Sequence, residues 1–106
     1  MLSFYRGDSS DDVIVKCLDI NGFATVFDSG WVAHMMVVQY LGGNPLISKD
    51  LLPSPDSTYF INNITRQESA SLLEGPYIMV ITLDHPEEDF HRTKYEAVNV
   101  EEPLLA

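Results

Sequence analysis

The stretch WVAHMMVVQYLGG, residues 31–43, decides the fold because it contains the longest apolar run in the chain. A helix is the competing interpretation, since Ala and Met favour helix. The run also holds three valines, and it ends in Gly42-Gly43, a pair that suits a hairpin turn. These residues therefore predict a long strand that returns through NPLISK, residues 44–49.

Several other segments have the composition of strands. VIVKCL, residues 13–18, is rich in β-branched residues, and the Asn21-Gly22 pair behind it readily takes the positive φ of a tight hairpin turn. Further candidates are TYFINNI (58–64), PYIMVITL (76–83) and FHRTKYEAVNV (90–100), the last two joined by the acidic turn DHPEED. Together these segments predict a chain built mainly of short strands.

One segment has helical character. In TRQESASLLEG, residues 65–75, Thr65 and Glu68 have the spacing of a reciprocal capping box, and Gly75 is suited to end the helix. LLPSPDS, residues 51–57, carries two prolines and predicts a loop. The helix is thus a short connection between strands.

The order of these elements predicts an all-β fold. About seven short strands, one helical connection and no βαβ rhythm favour an immunoglobulin-like antiparallel β-sandwich with one short helical connection. We expect residues 1–100 to form a single β-sandwich domain. Residues 101–106, EEPLLA, are interpreted as a C-terminal tail that is either loose or a docking peptide.

The charge balance narrows the choice of partners. The chain has 16 acidic and 6 basic residues and a formal net charge of −10, so its field repels phosphate backbones and anionic lipid surfaces. Nucleic acid and membrane are not expected as partners, and no apolar run approaches the roughly 20 residues that span a bilayer.

The N-terminus lacks signal-peptide character, which predicts an unprocessed soluble protein. The single cysteine, Cys17, is expected to be a buried, inert thiol.

No motif marks an active site, so we expect no enzyme and no cofactor. The chain has no nucleophile elbow, no phosphate-binding glycine loop and no paired-histidine motif, although its three histidines and many serines leave a catalytic triad open. His34, on an apolar strand, is more simply a hydrogen-bonded core or interface residue than a metal ligand. Two acidic clusters match no calcium-loop pattern and are interpreted as solvated turns. They are Asp8, Asp11 and Asp12, and Asp84, Glu87, Glu88 and Asp89.

The tripeptide Arg6-Gly7-Asp8 matches the motif of integrin ligands. A three-residue match arises often by chance, and a Gly-Asp turn is what the backbone needs between two strands. The sequence therefore predicts a structural turn here and no adhesion site.

Both faces of the two longest apolar strands are apolar. In an isolated sandwich only the inward face is buried, so the strands should alternate with polar residues. The helix, the loop at 51–57 or the tail could cover the outer face, and the other interpretation is a second protein chain. The candidate interface residues are Trp31, Met35, Met36, Tyr40, Tyr77 and Met79.

The order of the motifs resembles a known family. A Gly7-Asp8 turn, the Asp19-Ile20-Asn21-Gly22 hairpin, a helix carrying Leu72 and Leu73, and Gly75-Pro76-Tyr77 follow one another as they do in the immunoglobulin-like β-sandwich of tailed-phage structural proteins. This sandwich occurs in the amino-terminal domain of baseplate upper proteins and in tail-fibre collar proteins. The resemblance runs from residue 2 to about residue 100; the segment FATVFDSGW after the hairpin departs from the family's usual Leu-Thr-Gly-Ala.

The resemblance implies a bacteriophage virion structural protein without catalytic residues. Such a protein is made in the host cytoplasm and packs with copies of itself and other virion proteins in a tail, collar, baseplate or neck ring. The charge of −10 supports a second hypothesis, a small acidic phage-encoded inhibitor that binds and masks a host protein.

Overall fold

A computed structural model of the chain describes residues 1–18, 21–27 and 29–103, with Glu88 described in its backbone only. Within these ranges there are eight strands, one α-helix and one 3₁₀ turn. The elements in chain order are β1 (Leu2–Tyr5), β2 (Val13–Val15), β3 (Val32–Val38), β4 (Ile47–Asp50), β5 (Leu52–Pro53), β6 (Phe60–Asn62), α1 (Arg66–Ala70), β7 (Gly75–His85), the 3₁₀ turn (Pro86–Glu88) and β8 (Phe90–Glu101).

The strands form two sheets, which confirms the predicted all-β, sandwich-like fold. The larger sheet has five strands in the order β1-β8-β7-β3-β4, and the smaller sheet has three in the order β2-β6-β5. Neighbouring strands are antiparallel except β1 and β8, which pair in parallel with Leu2 beside Val98. A parallel pair needs a long crossover, and here the whole domain between β1 and β8 supplies it.

The register of β3 and β7 shows which apolar face is the core. Ala33 lies opposite Leu83, Met35 opposite Ile81 and Val37 opposite Met79, and all six side chains are buried. Directly paired residues point to the same side of a sheet, so these six define its inner face. The small sheet packs against that face through the buried residues Val13 and Phe60.

The hairpin predicted from Gly42-Gly43 is present. Gly42 has φ +85°, a conformation that side chains disfavour, and the Leu46 N–H donates to the Val37 carbonyl at 2.8 Å. β3 and β4 then pair in antiparallel fashion. The longest apolar run is therefore a strand, and the helical alternative is wrong.

The hairpin at Asn21-Gly22 has less pairing between its two arms than predicted. Gly22 has φ +83°, but the chain returns only through an isolated bridge between Leu18 and Ala24 and a 2.8 Å bond from the Thr25 N–H to the Cys17 carbonyl. The first half of the predicted hairpin motif, Asp19-Ile20, lies outside the described residues.

The predicted loop at 51–57 contains the short strand β5, which pairs with β6. After β5 the chain turns around Asp56, whose carboxylate accepts hydrogen bonds from the Thr58 and Ser54 hydroxyls, each at 2.7 Å. These bonds, with a further one from the Thr58 N–H, lower the pKa of Asp56. The two prolines did not prevent pairing because β5 lies at the edge of its sheet.

Helix α1 has the predicted capping box. The Thr65 hydroxyl accepts from the Glu68 N–H at 3.2 Å, and the Glu68 carboxylate accepts from the Thr65 N–H at 2.9 Å. The same carboxylate accepts from Lys49 Nζ at 2.7 Å, which links the helix to β4. The helix ends at Ala70, earlier than predicted, and Gly75 begins β7 with φ +142°.

Candidate protein interfaces

The side of the five-stranded sheet opposite the core is called the outer face here. Its central row crosses the sheet from Ser48 on β4 through Met36 and Val80 to Tyr95 on β8. Tyr95 is 58% exposed, and Val32 on the same face is 47% exposed. The small sheet lies on the inner side, so in the described part of the chain the centre of this face is apolar and open.

Asp50 and Asp84 on the outer face lie to one side of this centre, and each is hydrogen-bonded to a histidine. The His34 Nδ1 lies 2.8 Å from the Asp50 carboxylate, and the His91 Nδ1 contacts the Asp84 carboxylate. The sequence predicts a hydrogen-bonded His34, and these contacts confirm it. Most other carboxylates that the structure describes lie in turns and connections, among them Asp8, Asp11, Asp12, Asp56, Glu87 and Asp89.

The surroundings of His34 have the order of groups found in a serine hydrolase. Its Nε2 lies 2.8 Å from the Ser48 hydroxyl, while its Nδ1 contacts Asp50. Acyl transfer also needs a cleft that holds the substrate and donors aimed at the developing oxyanion. None of the described hollows is lined by His34 or Ser48. The two bonds hold the imidazole against the side chains of β4.

The candidate interface residues divide between the core and the surface. Met35 and Met79 are fully buried, and Tyr77 is 5% exposed with its hydroxyl donating to the Leu73 carbonyl at 2.7 Å. These three side chains are enclosed within the chain and offer no surface to a partner. Their place in the core reflects the register of β3 and β7, which turns them to the inner face.

The other three candidate residues retain accessible surface. Met36 is half-buried at the centre of the outer face, and Tyr40 is exposed beyond the end of β3. Trp31 is half-buried and packs edge-on against Phe27 and Phe90, with ring centroids 5.2 Å and 4.9 Å apart. Trp31 thus belongs mainly to an aromatic cluster, while Met36 and Tyr40 remain available to a second chain.

The Arg6-Gly7-Asp8 segment forms the turn that leaves β1. Gly7 has φ +90°, and its N–H donates to the Ser69 hydroxyl at 2.9 Å. Ser69 is fully buried in α1 and in turn donates to the Tyr5 carbonyl. The tripeptide therefore forms a structural turn, as predicted, and the turn is also joined to the helix through Ser69.

A second open region is called the groove here. It runs between β2, which is an edge strand of the small sheet, and the inner face of β7 and β8. Its larger part has a volume of about 360 Å³ and a floor of Ile81, Leu83 and Phe90. A smaller part of about 180 Å³ continues it, since both parts share Ile14, Ile81 and Lys94. Cys17 lines the groove and is half-buried, so the prediction of a buried thiol is corrected.

Asp12 and Glu96 line the smaller part of the groove, but the rim of the larger part is basic. Lys16, Arg92 and Lys94 line it, which is half of the 6 basic residues of a chain with a net charge of −10. Among the described residues none of these three makes an ion pair. Arg92 lies over the Phe90 ring at 4.7 Å, and Lys16 lies 5.9 Å from the Tyr59 ring. The larger part of the groove is therefore a surface that favours an acidic, partly apolar ligand.

In the part of the chain that the structure describes, no three His, Cys, Asp or Glu side chains come together as a metal site would require. The Glu88 side chain of the second acidic cluster lies outside that part. No described helix is long and apolar enough to cross a membrane.

The chain was compared with known proteins. No protein-family model matches it, and no curated protein matches it in sequence. The function therefore has to be argued from the surfaces described above.

Proposed function

We propose that the chain is a non-enzymatic structural protein of a bacteriophage virion, a component of the tail, collar, baseplate or neck that packs in a ring with copies of itself. The open apolar outer face carries this proposal. A soluble chain that leaves the centre of a five-stranded sheet uncovered gains free energy when a second surface covers it. The virion setting comes from the motif resemblance, and the outer face supplies the physical reason for assembly.

A second copy of the chain fits the charge pattern of this face. Two molecules that each carry a charge of −10 repel one another wherever their free carboxylates meet. On the outer face the Asp50 and Asp84 carboxylates are each hydrogen-bonded to a histidine, and both lie on the same side of the uncharged central row from Ser48 to Tyr95. Copies can therefore meet here with less repulsion than across the acidic turns.

The size of the outer face suits a small specific contact. Four strands at a spacing of about 4.8 Å and about seven residues of about 3.4 Å each span roughly 20 by 24 Å. Stable interfaces start near roughly 600 Å² of accessible surface on each partner, and side chains add relief to a flat projection. The projected area is thus about 480 Å², which places this contact at the lower end of the range, so a stable assembly needs further contacts beside it.

The test compares two charge substitutions at exposed apolar residues. Tyr95→Asp places a carboxylate in the centre of the outer face, and Leu73→Asp places one at a residue that is 68% exposed and lies between α1 and β7. Light scattering over a range of concentrations should show a species larger than the 11.9 kDa monomer for the unaltered chain and for Leu73→Asp. Tyr95→Asp should be monomeric at concentrations roughly tenfold higher or more.

Two results would contradict the proposal. If the unaltered chain were a monomer at every concentration, the proposal that copies associate through their outer faces would be wrong. If cross-linking of purified particles of the parent phage never captured the chain, the assignment to the virion would fail even for an oligomer.

The second hypothesis is a small acidic inhibitor of a host protein. A surface that masks a basic partner needs carboxylates along one exposed face. In the described residues they lie mostly in turns, and no face presents a row of them. Binding to a basic host protein that is lost in moderate salt would favour this hypothesis.

A further inference from the structure

The groove occupies the place of a missing strand. The small sheet is linked to β4 at the β5 and β6 side, where the Asn62 amide donates to the Asp50 carbonyl at 2.8 Å. β2 is the opposite edge of the small sheet. Beyond β2 the inner face of β8 is not covered, and its residues Arg92 and Lys94 are exposed to solvent. An edge strand presents unpaired N–H and C=O groups that can pair with an added strand. A segment added beside β2 would extend the small sheet over β8.

The chemistry of the groove specifies such a segment. Its floor is apolar, and its rim holds three cations without an ion pair among the described residues. Ile14 and Leu18 on the β2 side are 51% and 62% exposed, so an apolar occupant would bury them. The fitting occupant is an extended peptide that combines carboxylates with large aliphatic side chains.

We infer that residues 102–106 of a second copy of this chain, Glu-Pro-Leu-Leu-Ala, bind in the groove as an added strand beside β2. Glu102 would lie against the basic rim, and Leu104 and Leu105 would cover the apolar floor and the exposed side chains of β2. The inference rests on the proposed function in one respect, because both require copies of the chain to meet.

The chain's own Glu102 cannot reach the basic rim of its own groove. β8 is a continuous strand of 12 residues, and Lys94 precedes Glu101 by seven residues, a separation of about 23 Å along a strand. Glu102 follows directly after the end of β8, where it lies 3.6 Å from Arg6 in an exposed ion pair. Such an exposed pair contributes little to stability, so Glu102 can exchange Arg6 for the basic rim of a neighbouring copy at small cost.

A contact of this kind joins two different surfaces and is heterologous. Contacts of that class generate rings when the rotation between neighbours closes, and open filaments when it does not. A face-to-face contact through the outer faces alone would stop at a dimer. The groove contact therefore supplies the directional step that a ring requires.

The experiment uses two full-length variants that are defective on opposite sides of the contact. The groove variant carries Arg92→Glu and Lys94→Glu and keeps the segment 102–106. The tail variant carries Leu104→Ser and Leu105→Ser and keeps the groove. All four residues are exposed or outside the described residues, so circular dichroism should show an unchanged fold. A fluorescent peptide of residues 101–106 serves as a direct probe of the groove.

Sedimentation should show that each variant alone associates at least roughly tenfold more weakly than the unaltered chain. An equimolar mixture should associate more strongly than either variant alone, because the tail of the groove variant can bind the intact groove of the tail variant. The peptide should bind the tail variant, lose affinity as salt rises, and bind the groove variant at least tenfold more weakly.

The inference is overturned if the mixture associates no better than its components, or if the peptide binds both variants equally or neither. If both variants assemble as the unaltered chain does while Tyr95→Asp does not, the groove contact is wrong and the outer-face contact of the proposed function stands. If the groove variants abolish assembly and Tyr95→Asp leaves it intact, the outer-face role fails instead. If the peptide binds the groove but the full chain does not self-associate, the groove is a binding site for such a segment and the proposed ring of copies is wrong.

Discussion

Removing the Tyr77 ring tests whether this side chain stabilises the core of the single chain or a contact between chains. The ring is 5% exposed on the inner face of β7, and its hydroxyl donates to the Leu73 carbonyl at 2.7 Å. Truncating a buried aromatic residue to Ala typically costs about 3–5 kcal/mol, because transfer free energy is lost and a cavity remains. We therefore expect Tyr77→Ala to lower the free energy of unfolding of the single chain by that amount.

The matched control is Tyr77→Phe, which keeps the ring and removes only the hydrogen bond. Leu73 is 68% exposed, so water can reach its carbonyl, and the loss should stay near the lower end of about 0.5–1.5 kcal/mol. A domain of this size has a free energy of unfolding of about 5–15 kcal/mol. The Tyr77→Ala variant should therefore still fold, or lie close to the stability at which it no longer folds.

Urea denaturation at low protein concentration, followed by tryptophan fluorescence, measures both variants. With a slope of about 2 kcal/mol per molar, a loss of 4 kcal/mol lowers the midpoint by about 2 M. A loss below about 1 kcal/mol for Tyr77→Ala, together with weaker self-association, would refute the reasoning. That result would mean that the ring contributes to a contact between chains.

Three further predictions concern the turn after β1 and helix α1. Gly7→Ala should destabilise the fold by about 1–2 kcal/mol because φ is +90°, whereas Asp8→Asn at an exposed residue should be neutral in thermal unfolding. Ser69→Ala should cost about 1–3 kcal/mol in urea, since it leaves the Gly7 N–H without its partner; an unchanged midpoint would contradict this. For Glu68, burial raises the pKa, but hydrogen bonds from Lys49 and the Thr65 N–H outweigh it, so the pKa lies below its ordinary 4.5. Its contribution to stability is present above pH 4.5 and lost as the pH falls through the lowered pKa, so the stability difference between the unaltered chain and Glu68→Gln should shrink in acid.

Local patterns in the sequence predicted most of the fold. The valines and the Gly-Gly pair identify β3 and its hairpin, and Thr65 and Glu68 identify the start of α1. The end of α1 was not predictable, because Ser71 caps it through a hydroxyl bond to the Glu68 carbonyl while Leu72 is drawn into the core. Pairing of β1 with β8 depends on residues nearly a hundred positions apart, which local patterns do not report.

The candidate surfaces were predicted only in part. Two-sided apolar strands signalled an open sheet face, but both faces of β3 and β7 have similar composition. Only the register shows that Met35 and Met79 face the core and Met36 faces outward. The groove had a weak signal, the alternation of Arg92 and Lys94 with Thr93 and Tyr95. The basic rim is formed by residues of β2 and β8 together, so it depends on the fold that brings these two strands close to each other.

The parallel pairing of β1 and β8 also determines how the domain carries tension. The chain enters β1 at Leu2 and leaves β8 after Glu101, so a pull on residues 1 and 103 drives the two strands past each other along their length. All the bonds between them, including the one from the Arg6 N–H to the Glu101 carbonyl at 2.7 Å, then bear the load together in shear. A pair joined in this way yields only when several bonds break at once, whereas an antiparallel hairpin pulled at its open end unzips one bond after another. The seam between β1 and β8 is therefore a mechanical clamp across the ends of the domain.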